Sequence, residues 1–319
     1  MDRPHDACSK SLRASSRLPR ALFLFAWSLF CAVALNTIPG CGSATQGGAS
    51  EAMAATGAPY VQPTEINVPE ATAEGINIDG VNDGWVCAAA SNAARLKFQV
   101  ICGETTYNYD LPNDGTPTMY PINMGDGAYQ FRIIMNTEGQ NYVEVDSAEA
   151  DVQLSSEFAP FLIPNQFCNY TKDSKCVDKA KQLVSKAQNQ SDALAAVCMY
   201  VVDNTTYDKE KAKELAKSSG YIPDPDETLA TGKGICFDYA SLSAAMLRSM
   251  GLPAKVMTGY VGKEQLYHAW IMVYIDGTWK TAQFSVEPNT WSRCDVTFAS
   301  TGATQYSGSG SGYTDRYTY

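Results

Sequence analysis

The stretch Gly232-Lys-Gly-Ile-Cys-Phe-Asp-Tyr-Ala240 runs directly into Ser241-Leu-Ser-Ala-Ala-Met-Leu-Arg-Ser-Met250, and Gly251-Leu-Pro253 follows. A strongly apolar segment stopped by glycine and proline reads as a helix from Cys236 to Met250. Gly232 and Gly234 let the chain turn sharply into that helix and leave room for a substrate beside the backbone. Cys236 is therefore expected on a first helical turn, where unpaired N–H groups and a partial positive potential favour a thiolate. Its own amide is aimed at the place where an acyl oxyanion would form.

Beyond residue 40 the chain has a single histidine, His268, in Gln265-Leu-Tyr-His-Ala-Trp270, and farther on stands Trp291-Ser-Arg-Cys-Asp295-Val-Thr-Phe298. Cysteine, histidine and aspartate supply a nucleophile, its base and the group that orients the base. The surrounding pattern is mixed. Apolar periodicity predicts helices over Asp173–Ala187, over Ala193–Val202 behind a Ser191-Asp192 cap, and over Lys209–Ser218. Residues 221–234, with Pro223 and Pro225, read as a loop. Strands are expected at Ala254–Val261, His268–Ile275, Trp279–Val286 and around Cys294–Phe298, with Asp276-Gly277 as a hairpin turn between the second and third.

Gly-x-Cys before a helix ending in Leu247-Arg-Ser-Met-Gly-Leu-Pro-Ala254, then Thr258-Gly-Tyr-Val261, then His268-Ala-Trp270, resembles the bacterial transglutaminase-like domain, a distant relative of papain-type cysteine peptidases. The resemblance covers about Lys172 to Phe298. It implies an α+β, papain-like fold and a triad of Cys236, His268 and an aspartate in a Trp-x-x-x-Asp-x-Thr pattern. Trp291 puts Asp295 in that place, whereas Trp279 puts Gln283 there, which cannot carry the charge; Asp276 is a poorer candidate in its turn. Asp295 lies 27 residues beyond His268, which implies an extra hairpin between the two strands. Plainer readings stay open beside this one: Cys236 as a buried structural thiol, His268 as a core histidine, and Trp270, Tyr207 and Tyr267 as packing residues instead of substrate walls.

The N-terminal part has a different character. Residues 1–20 carry five basic side chains, and Ala21 to Leu35 is uncharged and apolar, the pattern of a secretory signal over 1–40. Ile38-Pro-Gly-Cys41 resembles the bacterial lipoprotein cleavage box, so Cys41 is the expected lipidated residue. Residues 41–63 read as a flexible linker, rich in Gly, Ala, Ser and Thr. Residues 64–165 read as an all-β, Ig-like sandwich: Ala94–Cys102, Thr105–Leu111 and Tyr129–Asn136 carry strand patterns, separated by turns such as Asp83-Gly84, Asn113-Asp114-Gly115 and Gly125-Asp126-Gly127. Residues 166–319 form the expected transglutaminase-like domain with a Tyr/Ser/Gly-rich tail, in which Tyr313–Tyr319 is a candidate last strand.

Composition narrows the chemistry. With 24 basic and 34 acidic residues the formal net charge is −10, and it falls to about −13 without residues 1–40, which argues against nucleic acid and against charge-driven docking on anionic lipid. Seven cysteines remain after Cys8, Cys31 and Cys41, an odd number that suits three disulfides and one working thiol in an oxidising compartment. Proximity favours Cys87–Cys102 and Cys168–Cys176, leaving Cys198 with Cys294. One histidine and no Cys-x-x-Cys pair give zinc no ligand set, the Asp-rich turns read as ordinary turn chemistry, and no cofactor is expected. The composite expectation is an extracytoplasmic, lipid-anchored thiol enzyme acting on amide bonds through an acyl-enzyme. A peptidase, an amidase or a protein-glutamine acyltransferase would fit, with a peptide, protein or cell-wall peptide as substrate and membrane contact only through the anchor. A surface-binding lipoprotein that keeps the fold without catalysis, or a structural lipoprotein in which the sandwich is a spacer, are the alternatives.

Overall fold

Seven strands between Gly75 and Val152 form two antiparallel sheets around one core. They are β1 (Gly75–Asn77), β2 (Trp85–Ala89), β3 (Leu96–Cys102), β4 (Thr105–Leu111), β5 (Thr118–Pro121), β6 (Gly127–Asn136) and β7 (Tyr142–Val152), in sheet orders β1-β2-β5 and β4-β3-β6-β7. Period-two alternation decides what faces inward: Leu96, Phe98 and Val100 of β3 are buried, while Lys97 and Gln99 between them are not. The two sheets meet through rings such as Phe98 and Tyr120, whose centroids lie 4.6 Å apart. The computed structural model describes residues 59–261, 266–275, 279–281, 284–286, 292–294 and 313–319.

The second part holds α1 (Lys175–Val184), α2 (Gln190–Asn204), β8 (Thr206–Tyr207), α3 (Lys209–Leu215), α4 (Pro225–Thr231), β9 (Lys233–Gly234) and α5 (Cys236–Ser249). The strands β10 (Ala254–Val261), β11 (Leu266–Val273), β12 (Trp279–Thr281), β13 (Phe284–Val286), β14 (Ser292–Cys294) and β15 (Tyr313–Thr318) follow. A four-stranded sheet runs β14-β11-β10-β15, all neighbours antiparallel. Helix α5 is buried at every residue from Asp238 to Ser249. Its run of alanine, serine, leucine and methionine, apolar on nearly all sides, suits a helix enclosed by α1, α2, α4, β10 and β11.

Several expectations are met and several are corrected. The candidate strand at the chain's end exists as β15; the stretch Trp279–Val286, expected as one strand, is instead two antiparallel strands, β12 and β13, which supply the hairpin implied by the long His268–Asp295 spacing. The expected turn at Asp276-Gly277 lies outside the described residues; among them, β11 pairs with β10 and β14, and β12 with β13. Residues 221–234 are not all loop, because Asp224 accepts from the amides of Asp226 (2.8 Å) and Glu227 (3.1 Å), Pro225 opens a helix and Gly232 closes it. From α4, Asp226 in turn accepts from the amides of Lys175 (2.9 Å) and Cys176 (2.8 Å), capping α1 across 50 residues. The helix α2 starts earlier than expected, since Asn189 is its cap, accepting from Asp192 N at 2.8 Å.

Cys87, Cys102, Cys168 and Cys176 carry free thiols, in place of the expected bridges. Cys87 sits between the inward-facing Val86 and Ala88 on β2, so its side chain leaves that sheet on the outer face, while Cys102 ends a strand of the other sheet. Cys168 and Cys176 share the helical core as thiols: Ser241 O stands 3.9 Å from Cys168 Sγ, and burial, then the Asp226 carboxylate, pushes the Cys176 thiol up, with Cys168 nearby adding to the shift. Of the expected Cys198–Cys294 pair, the Cys294 side chain lies outside the described residues.

Two segments distant in sequence, together with the nearby start of β10, converge on Arg248, which is only 2% exposed. Its guanidinium donates to Ala254 O (2.7 Å), Ile163 O (2.9 Å) and Tyr319 O (2.8 Å), tying the link between the two sheet systems and the last residue to the end of α5. The segment before the first sheet is bound to this same half, because Tyr60 OH donates to Met250 O at 3.0 Å and Ile66 joins the helical core. Arg248→Met keeps the buried stem and removes three charge-assisted bonds, leaving carbonyls unpaired. It is expected to lower stability by about 2–4 kcal/mol, read from the urea unfolding midpoint. Arg248→Lys restores only part of this, because an ammonium cannot copy the planar fork.

Candidate active site

The turn into α5 is set by a carboxylate. Asp238, the third helical residue, is fully buried. Its Oδ2 accepts from Ile235 N at 2.7 Å and from the Lys211 ammonium at 2.9 Å, and its Oδ1 accepts from Tyr221 OH at 2.5 Å. Ile235, in the cap position, has no side-chain acceptor of its own, so Asp238 reaching back is what fastens the helix start. The space is tight: a Cβ on Gly234 would lie 2.5 Å from Asp238 Cβ, which is why glycine stands there. Cys236 is thus the first residue of α5, half-exposed, with its amide in the uncapped first turn.

His268 lies on β11 opposite Gly259 of β10 and is 5% exposed. Cys236 and His268 line one cavity of about 280 Å³. The structure therefore brings together two of the three expected triad residues; Asp295, like Gln283 and Asp276, lies outside the described residues. Cys294, the last residue of β14, pairs with Ile271 on the strand that carries His268.

Around this pair the walls are mostly aromatic and aliphatic. Phe167 packs against Phe237 (centroids 5.3 Å apart) and against Tyr319 (4.5 Å). Tyr267 lines the cavity, is half exposed and donates to Thr258 Oγ1 at 3.0 Å, so it fits a substrate wall. Tyr207, the other tyrosine singled out from sequence, stands on β8; burial, then the nearby Cys236, pushes its phenol up to about 12. Trp270 is fully buried in a small cluster with Met257 and Val261, so packing is its role.

No motif in the sequence points to the far wall. Asn108 and Asp110 on the outer face of β4, with Gln166 and Gly220, complete the cavity. Gly220 passes so close that a Cβ would lie 2.6 Å from Asp110 Oδ2, and its φ of 85° is one that side chains seldom adopt. Outward polar residues on an edge strand read as solvated, and only the packing of the loop reveals their place.

Residues 177–295 match the family model of the transglutaminase-like superfamily. This stretch is a transglutaminase-like domain. The chain is 30% identical over 116 residues to a UPF0252 protein of Methanocaldococcus jannaschii, covering 33% of this chain and 33% of that protein. An uncharacterized protein of Mycobacterium leprae is 32% identical over 89 residues, covering 25% of this chain and 32% of its own. The chain thus spans about a third of the length of these curated relatives. Among solved structures, a candidate cysteine protease from Cytophaga hutchinsonii aligns over 73% of both chains at 16% identity with a TM-score of 0.39.

Asp238 is expected to matter more than any partner it holds. Asp238→Ala strands the Ile235 amide, the Tyr221 hydroxyl and the Lys211 ammonium, and should cost about 3–5 kcal/mol. Tyr221→Phe should cost about 1 kcal/mol. Chemical unfolding of both variants checks the order, and limited proteolysis should cut residues 216–224 faster in each.

Proposed function

We propose that this chain is an exported, lipid-anchored thiol enzyme that acts on amide bonds of peptides through Cys236, His268 and Asp295. The observation that carries the reading is the shared cavity: a cysteine at the start of a buried helix and the one histidine of the mature chain line the same small space. Cys236 Sγ attacks the amide carbonyl carbon, and the oxyanion is held by first-turn amides, including that of Cys236. The C–N bond breaks as the departing amine takes the proton carried by His268, leaving a thioester. Water, deprotonated by His268, then releases a carboxylic acid; an amine in place of water yields a new amide. Asp295 orients the imidazole. Both outcomes share the acylation step, and peptide hydrolysis is the reading we favour for an exported protein. Residues 1–40 act as the signal and Cys41 carries the lipid. The strand orders β1-β2-β5 and β4-β3-β6-β7 support reading residues 64–165 as an Ig-like sandwich module.

Iodoacetamide at neutral pH should modify Cys236 ahead of Cys87 and Cys168, whose thiols burial pushes up to about 11. Cys236→Ala should abolish turnover in a peptide and cell-wall fragment library; retained turnover of every substrate would falsify the enzyme and leave a binding lipoprotein. Asp295→Asn should lower kcat/KM by about 100-fold or more, against a minor loss for Gln283→Ala. Equal losses would remove Asp295 from the triad.

A further inference from the structure

The wall that β4 gives to the cavity carries a chemical preference. Asp110 supplies a carboxylate to the lining, and among the described residues no lysine or arginine lines it. Both contacts from Arg95, at 2.9 and 2.6 Å, fall on Asp110 Oδ1. Arg95 lines an adjoining groove that shares Asp110, Gly220 and Ile222 with the cavity, and it is not itself among the residues lining the cavity. Oδ2 accepts no hydrogen bond among the described residues and stands against Gly220. The remaining walls are largely apolar, with Phe167, Ile222, Phe237 and Tyr319 prominent. At about 280 Å³ the space falls just below the range of about 300–1,000 Å³ typical of sites for whole small ligands, so it suits one or two residues.

A side chain that matches apolar walls and a lone carboxylate oxygen has an aliphatic stem and an amine tip. An acidic side chain would be desolvated beside Asp110, and among the described residues no lysine or arginine lines the cavity to offset it. We propose that the sandwich is part of the substrate site, and that Asp110 makes the cavity select amides flanked by an amine-bearing or neutral side chain and reject those flanked by an acidic one. This rests on the cavity being the reaction site proposed above. It assigns Asp110 a role in specificity, acting on the substrate's flank and not on the reacting amide.

The test uses the whole protein and reads Cys236 modification by mass spectrometry, with a neutral, a cationic and an anionic methanethiosulfonate reagent. Each charged rate is divided by the neutral rate. In the parent the cation-to-anion ratio should exceed that of a small thiol in solution by about tenfold. Asp110→Asn, which also leaves Arg95 without its partner, should lower the ratio about fivefold or more. Asn108→Lys, on the same exposed strand face, should lower it as well and guards against a folding defect in the first variant. Glu149→Gln removes an equal charge elsewhere on the sandwich and should leave the ratio within about 1.5-fold. A ratio unmoved by Asp110→Asn and Asn108→Lys, or moved equally by Glu149→Gln, overturns the proposal. Matched peptides with Lys, Gln or Glu beside the reacting amide supply the second readout: kcat/KM should be about tenfold higher for Lys than for Glu, and nearly equal in Asp110→Asn. Absence of turnover for all three with the labelling ratios intact counts against the enzyme and not against the charge selection.

Discussion

A carboxylate with no solvent, two residues beyond the nucleophile candidate, is the constraint on which the site is built. Burying a charge is costly unless every lone pair finds a donor and a cation stands by. Asp238 meets both conditions with a backbone amide, a phenol and an ammonium, and the positive end of α5 adds to them. Those donors come from the turn before Cys236, from the loop of Tyr221 and from α3. The cost of leaving any of them unpaired forces the three segments to converge. The direction in which Cys236 leaves the helix is therefore fixed by a residue that does no chemistry, as expected where a reactive group needs a supporting shell.

The two sheet systems are joined by a second device. An exposed edge of β10 would invite pairing with another chain; β15 covers it, and Tyr319 continues the pairing with reciprocal bonds of 2.8 Å to Val256. The rings of Tyr317 and Tyr319 then turn into the sandwich, against Tyr107 at 5.5 and 5.9 Å. Thr318 N also donates to Tyr107 OH at 3.2 Å. One strand thus completes the sheet that carries His268 on one side and the aromatic core of the sandwich on the other. Loosely docked domains move against each other, whereas here Phe167 and Tyr319 are common to the interface and the cavity, so the width of the cleft follows from the packing of the joint.

How far the sequence could be read differed by the kind of force involved. Helix α5, strands β3, β4 and β10, and the extra hairpin after β11 follow from periodicity, stop signals and spacing, all of which are local. The α4 helix was legible as well, in Asp224-Pro225-Asp226-Glu227 with Gly232 behind it, but two prolines close together weighed toward loop. The cysteine pairing failed because nearness along the chain says nothing about which face of which sheet a thiol occupies, as Cys87 and Cys102 demonstrate. For the site, Cys236 and His268 carried motifs. Asp110 and Asn108 carried none, since alternation marks them only as outward-facing, and what they face is decided by a loop more than 100 residues later.

That contrast separates two carboxylates near one cavity. Asp238 has both oxygens occupied and no exposure, so its interactions are complete before a ligand arrives and any change there is felt as instability. Asp110 has one oxygen held by Arg95, an exposure of 28%, and a second oxygen without a donor. Pairing with Arg95 through one oxygen keeps its charge tolerable at the edge of the cavity that Cys236 also lines, while the other oxygen accepts no hydrogen bond among the described residues. A carboxylate needed only for packing would gain from being saturated like Asp238; one meant to meet a substrate loses its use when saturated. On that physical ground we assign the sandwich a part in selection at the site as well as support.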